Sequence, residues 1–214
     1  MANFILWDND GVLVDTEKLY YQCNRDFYRE LGLELSEQQF FQCFLLDNIG
    51  AWHLLPEQLN EQQIQPLRQQ RNRRYSQLLN KQNIQPLSGM PALLQQLKCR
   101  YRHGIVTSAH RQHFELIHRH SNLLSHFDFV LTGDEVQNGK PHPEPYLRGL
   151  LLSGKSADEV IVVEDSPRGL QAAVNAGLRC VVIRQPLCAG FAFQGAWQVV
   201  DTVAQLQQCL MDAD

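Results

Sequence analysis

The chain has 214 residues, 23 acidic and 19 basic side chains, and a formal charge of −4. That length supports one substantial core with room for a small second domain. Both signs of charge are dispersed, which leaves no footprint for nucleic acid or an acidic membrane surface and argues against both partners. The one basic cluster, Arg68, Arg71, Arg73 and Arg74, reads as a solvated helix face. The six cysteines form no CxxC pair, and so large a chain needs no disulfide framework, so free thiols in a reducing compartment are expected. Asp8 and Asp10 interrupt the only early apolar run. No secretion signal or membrane span is expected, and the expected location is cytoplasmic.

The first predicted element is a short apolar run, Phe4 to Trp7, ending at the acidic turn Asp8-Asn9-Asp10-Gly11. Short apolar runs bounded by turn chemistry read as buried strands. Residues 17 to about 87 are rich in Gln, Leu, Glu and Arg and show no strand pattern. Helices are expected over Glu17 to Leu31 and Leu67 to Leu79, with Ser36 capping another between them. Asn83 to Gly89 is a turn-rich return. Strand and helix then alternate. The expected strands are Gly104 to Val106, Phe127 to Leu131, Val160 to Val163 and Cys180 to Ile183. The expected helices are Pro91 to Leu97, one including Phe114 and Ile117, Pro143 to Leu152, and one opening at Ser166-Pro167 and stopping at Gly177. Such alternation implies an α/β fold, a parallel sheet covered on both faces.

Four chemical features fall at the expected C-terminal ends of these strands, the edge where open α/β sheets bind ligands. Asp8 and Asp10 lie two apart in extended chain, so both can face one site. Paired carboxylates repel unless a cation intervenes, and a hard divalent ion would also polarise a phosphate. Thr107-Ser108 offers a hydroxyl and fresh backbone N–H groups suited to phosphate oxygens. Lys140 is held between Gly139 and Pro141, an unusual setting for a merely solvating charge; a fixed ammonium there can neutralise a phosphate and a nucleophile together. Glu164-Asp165-Ser166-Pro167 adds oxygen ligands for a cation. Each feature alone could be a turn or a helix cap. Their joint placement is what points to phosphate and magnesium.

These segments, WDNDGVLVDTE at 7–17, IVTSA at 105–109, GKPHPEPY at 139–146 and VVEDSPRGLQAAVNAG at 162–177, resemble the haloacid dehalogenase superfamily, in the group similar to β-phosphoglucomutase and phosphoglycolate phosphatase. The resemblance implies a Rossmann-like parallel core over 1–15 and 88–214, with an inserted α-helical cap over 16–87. It implies a Mg2+-dependent phosphatase of a small phosphorylated metabolite, a sugar or polyol phosphate, working as a monomer or weak homodimer. Asp8 would be the nucleophile and a metal ligand. Asp10 would be the general acid/base and reach the metal through its carbonyl. Thr107 and Ser108 would hold the phosphoryl group. Lys140 would pair with it and with Asp8, and Asp165 and Glu164 would complete the metal site.

Two other readings stay open: a phosphomutase, and a non-catalytic phospho-ligand sensor on the same fold. Against the mutase, Lys18 or Leu19 stands where a histidine is expected and Gly50 falls near an expected arginine. A metal-free dehalogenase would lack Asp10. His110, His113, His118 and His120 lack the spacing of a metal cluster, His142 reads as loop filler, and Trp52 with segment 44–49 reads as packing at the cap–core seam, which is also where cap residues would contact substrate.

Overall fold

A computed structural model describes residues 2–213, so the first and last residues of the expected core lie outside it. Its six strands are β1 (Phe4–Trp7), β2 (Arg102–Val106), β3 (Phe129–Leu131), β4 (Val160–Glu164), β5 (Arg179–Ile183) and β6 (Gln198–Val200). They form one sheet in the order β3-β2-β1-β4-β5-β6, parallel throughout. The chain runs outward from β1 through β2 to β3, then crosses back to β4. The reversal therefore lies at β1, and the crevice at such a reversal is where doubly wound sheets bind ligands. Trp7 is in register with Ile105 and Val163, so the residues following these three strands arrive together at one edge.

The eight α-helices are α1 (Glu17–Glu30), α2 (Glu37–Phe40), α3 (Glu61–Asn80), α4 (Met90–Leu97), α5 (Arg111–His118), α6 (Glu144–Ser153), α7 (Pro167–Asn175) and α8 (Val203–Met211) among the described residues. Strand side chains alternate between faces, and the packing follows that alternation. Leu6, Val106 and Val162 pack with Tyr146 of α6 and Leu170 and Ala173 of α7. Ile5, Trp7, Ile105 and Val163 pack on the opposite face with Leu93 and Leu97 of α4, Phe114 of α5 and Leu206 and Leu210 of α8. Both faces are covered, which is why the strands read as unbroken apolar runs.

Between β1 and β2 the chain is helical, as expected. Ser36 makes a capping box with Gln39, and α2 runs on into a π-helical turn at Phe41–Leu46. Asn60 makes a second capping box and opens α3. An aromatic cluster holds this region together: Tyr20 against Phe44 at 6.0 Å and Tyr75 at 5.0 Å, and Phe40 stacked on Phe44 at 4.9 Å. Helix α3 packs on α1 and also on α5. The returning chain pairs with the outgoing one, Pro86 bridging Val14 and the Leu87 amide donating to the Leu13 carbonyl at 2.9 Å. The two connections thus lie side by side.

The structure differs from the sequence reading in several places. Helix α3 begins six residues before the expected Leu67, with Pro66 inside it; proline normally opens a helix rather than interrupting one. Strand β3 is shorter than expected because Leu124–His126 forms a 3-10 turn ahead of it. Strand β6 and helix α8 were not anticipated, since three strand residues carry no periodic signal. All six cysteines are free, and no helix among the described residues is long and apolar enough to cross a membrane.

Candidate active site

The loop after β1 is shaped by its own backbone. The Asp8 amide donates to the Val163 carbonyl at 2.9 Å, and the Leu13 amide folds back to the Asn9 carbonyl at 2.8 Å. Gly11 sits at φ +79, and a Cβ there would lie 1.9 Å from Asp165 Oδ2. Only glycine allows both the turn and this approach. Asp10 accepts from the Thr16 hydroxyl on Oδ1 and from Asn9 Nδ2 on Oδ2 at 3.2 Å.

Lys140 is 2% exposed. Its Nζ donates to Asp8 Oδ1 and Glu164 Oε1, both at 2.6 Å, and to the Val106 carbonyl at 2.9 Å. The Tyr146 hydroxyl lies 3.0 Å from Nζ and donates to Glu164 Oε1 at 2.6 Å. The other oxygen of Glu164 accepts from the amides of Asp165 and Ser166 and from the Ser166 hydroxyl. Gly169 makes room for this carboxylate, since a Cβ there would lie 2.0 Å from it. The Lys140 carbonyl in turn accepts from Asn48 Nδ2 at 3.0 Å, a contact reaching across from the inserted helical region.

Carboxylate oxygens of Asp8, Glu164 and Asp165 lie within 4.8 Å of one another. These are the three residues expected to offer side-chain ligands to a metal; Asp10, expected to reach it through its backbone carbonyl, has its side chain held by Thr16 and Asn9. Thr107 is buried, with its hydroxyl accepting from the Ala109 amide at 3.0 Å, and Ser108 is half-buried beside Arg168 Nη1 at 3.4 Å.

The electrostatics show a surplus of negative charge. Burial pushes Asp8 up to about 7 even against the Lys140 ammonium, with Glu164 and Asp10 adding to the rise. Burial, then Glu17 and Asp8, holds Asp165 well above the carboxylate range. Glu17 is likewise pushed up to about 7 by burial, Asp15 and Asp10. Glu164 goes the other way: burial raises it, but Lys140 and Tyr146 outweigh that and hold it low. For Lys140 burial opposes the charge, and Asp8 and Glu164 overcome it. One ammonium is thus surrounded by more carboxylates than it can neutralise. An all-oxygen set of this kind fits a hard divalent cation.

Asp8, Asp10, Glu17, Lys140 and Asp165 floor a cavity of about 310 Å³, with Glu164 buried beneath them. Its roof comes from the inserted helices: Tyr20, Phe44, Leu45, Asn48, Arg71 and Tyr75. Of the two roles open to the seam segment 44–49, packing and facing a substrate, Phe44, Leu45 and Asn48 line the cavity, while Trp52 is buried and does not line it. Arg71 is not on a solvated face. It is half-buried in the cavity wall, its Nε buried with no hydrogen-bond partner, whereas Arg68 and Arg74 pair with Glu61 and Glu30 on the surface. Neighbouring helix positions are turned about 100° apart, so one cluster serves several faces. His142 is more than loop filler, since its Nδ1 accepts the Glu144 amide at 3.1 Å and caps α6.

Other residues of the site carry no role in the sequence reading. Glu17, which lines the cavity, and Tyr146, buried behind it against Lys140 and Glu164, stand inside recognised segments without an assigned role. Arg168 lines the cavity with an unpartnered Nε, and His113 lines it while its Nε2 lies 3.1 Å from Ser76 Oγ. His110 also lines the cavity, its ring 5.8 Å from that of His113, and pairs with Asp134 at 2.6 Å, whereas His118 meets Asn9 at 2.6 Å and His120 is exposed.

Residues 5–183 match the haloacid dehalogenase-like hydrolases. The phosphorylated carbohydrates phosphatase of Thermotoga maritima is 32% identical over 181 residues, covering 81% of each chain. The pyrophosphatase PpaX of Bacillus cereus is 28% identical, covering 98% of this chain and 97% of its own. The crystal structure of CbbY from Rhodobacter sphaeroides in complex with phosphate superposes with a TM-score of 0.81 at 25% identity, covering 96% of each chain. The chain belongs to the haloacid dehalogenase-like hydrolase family, as an enzyme of phosphatase type.

Proposed function

We propose that the chain is a Mg2+-dependent phosphatase of small phosphorylated metabolites, a sugar or polyol phosphate, working through an aspartyl-phosphate on Asp8. The observation that carries this reading is the buried Lys140 ammonium, 2.6 Å from both Asp8 and Glu164, at the switch point of the sheet. Asp8, Asp165 and the Asp10 carbonyl would hold the ion, with Glu164 direct or through water. When bound, magnesium neutralises the carboxylates and the phosphoryl oxygens.

The rest belongs to the chain's own groups. Thr107 and the Ser108 amide hold the phosphoryl oxygens, and Lys140 orients Asp8 and offsets developing charge. Asp8 attacks phosphorus in line, forming the Oδ–P bond as the P–O bond to the leaving group breaks. Asp10 gives its proton to the departing alkoxide, then takes one from the water that cleaves the aspartyl-phosphate.

We place the core at 1–15 and 88–214 and the cap at 16–87. The adjacent connections near Val14 and Pro86 favour a hinge between them. The core handles the phosphoryl group common to all substrates, so discrimination falls to the cap residues above the cavity. A sugar or polyol phosphate is supported by the relative named for phosphorylated carbohydrates. The phosphomutase alternative loses support at Gly50, which offers no cationic side chain and whose φ of +71, with a Cβ position 2.9 Å from Trp52 Nε1, suits glycine.

The test is phosphate release from a panel of sugar and polyol phosphates. Turnover requiring Mg2+, abolished by EDTA and by Asp8→Asn, is expected. Asp8→Asn activity within tenfold of wild type would remove Asp8 as nucleophile.

A further inference from the structure

Asn9 stands between the two aspartates of the first loop and is fully buried. Its Oδ1 lies 2.6 Å from His118 Nε2, and His118 Nδ1 lies 2.7 Å from Ser121 Oγ. His118 and Ser121 are buried too, at 5% and 6% exposure. His118 also sits against the Phe114 ring at 4.5 Å. Burying an amide and an imidazole in such surroundings is costly unless each finds its hydrogen-bond partners, so their hydrogen bonds must run in a consistent direction.

With a neutral ring, one direction satisfies both Asn9 and His118. The Asp10 carboxylate accepts, so the amide nitrogen of Asn9 faces it and the amide oxygen faces His118. An amide oxygen can only accept, so His118 Nε2 carries the proton and donates. Nδ1 is then the acceptor, and the Ser121 hydroxyl donates to it. The ring is neutral in this arrangement, in keeping with burial, which pushes His118 down to about 4. Donors therefore run from Ser121 through His118 and Asn9 to Asp10 Oδ2, while Thr16 donates to Oδ1. None of these bonds helps bring Asp8, Glu164 and Asp165 together.

We propose that Asn9 and His118 are positioning residues for Asp10, fixing the plane of its carboxylate from α5. The inference rests on the reading of Asp10 as general acid/base. Pinning both oxygens fixes rotation about the last side-chain bond, and proton transfer to a leaving group depends on that alignment. The alternative is that the chain of bonds merely anchors the end of α5 to the loop.

Leaving-group dependence separates the two. An alkoxide needs a proton to depart, whereas p-nitrophenolate does not, so a misaligned acid harms one substrate class and spares the other. The experiment compares kcat/KM for p-nitrophenyl phosphate and for the sugar phosphate turned over fastest, in wild type, His118→Phe, Asn9→Leu and Asp10→Asn. His118→Phe and Asn9→Leu should lower the sugar phosphate about tenfold through kcat, with KM kept, and p-nitrophenyl phosphate less than about threefold. His118→Gln, whose amide can still donate, should recover most of the loss. Ser121→Ala, a milder change that frees the ring to adopt the other tautomer, should give a smaller loss of the same selectivity even if the larger variants fold poorly. Equal losses on both substrates, or none, with Asp10→Asn still selective, would overturn the positioning role alone. An unselective Asp10→Asn would overturn the general-acid reading and this inference with it.

Discussion

Replacing Lys140 with methionine keeps the stem and removes the ammonium. The nitrogen lies 2.6 Å from carboxyl oxygens of both Asp8 and Glu164 and is 2% exposed. Removing one partner of a buried ion pair costs about 3–5 kcal/mol, because the charge left behind is uncompensated. Here two carboxylates lose the same cation, although Tyr146 and two amides still hold Glu164. In a chain of this size that loss is roughly 6–20 °C in Tm. The pH dependence follows from the shifts. Lys140 is raised in the fold, so its contribution is complete below its unfolded pKa and fully present at neutral pH. Glu164 is lowered, so its contribution is present above its unfolded pKa and lost as pH falls through the folded one. Without the ammonium, burial dominates and Glu164 joins Asp8 above the ordinary carboxylate range, so ionising them becomes unfavourable as pH rises. The assay is thermal unfolding in EDTA of wild type and Lys140→Met at pH 5 and pH 7.5. The Tm gap should be large at pH 7.5 and narrow at pH 5, where the stranded carboxyls take protons. An equal gap at both pH values, or one under about 1 kcal/mol, would refute the reasoning.

Gly11→Ala should destabilise the fold and abolish turnover, since its Cβ would lie 1.9 Å from Asp165 Oδ2 at a φ of +79; circular dichroism and phosphate release check this. The raised Asp8 binds its proton more tightly folded than unfolded and so takes stability away as pH rises from about 4 to about 7, while the lowered His103 and His118 add stability over the same range; because Mg2+ relieves only the carboxylates, added Mg2+ should raise Tm more at pH 7.5 than at pH 5. A rise in Tm on adding Mg2+ that is equal at both pH values would argue against that surplus of charge. Arg71→Met and Asn48→Ala, in the cavity roof, should change kcat/KM unequally among sugar phosphates and spare acetyl phosphate within about threefold. Uniform losses would make the cap a structural lid.

Much of this site was legible because its residues sit where one type of local pattern ends. Lys140 stood out between glycine and proline, and Asp8 and Glu164 each close an uninterrupted apolar run. What escaped depends on distance or helical phase. His118 and Asn9 are 109 positions apart, and no spacing rule connects an α5 residue to a loop after β1. Arg71 shares a basic stretch with Arg68 and Arg74, and which of them faces inward is decided by how α3 lies on α5. Glu17 entered the sequence reading only as the start of a helix, and only its burial beside Asp10 and Asp165 reveals the strain on its charge. Strand β6 is too short to differ from a loop in sequence, yet its pairing with β5 finishes the sheet edge.

The covalent step is tested most directly by the stereochemical course at phosphorus, using a sugar phosphate made chiral with oxygen isotopes and a trapped phosphoryl acceptor. Two in-line displacements, onto Asp8 and then off it, should give net retention. Net inversion would mean a single direct displacement and would contradict Asp8 as the nucleophile.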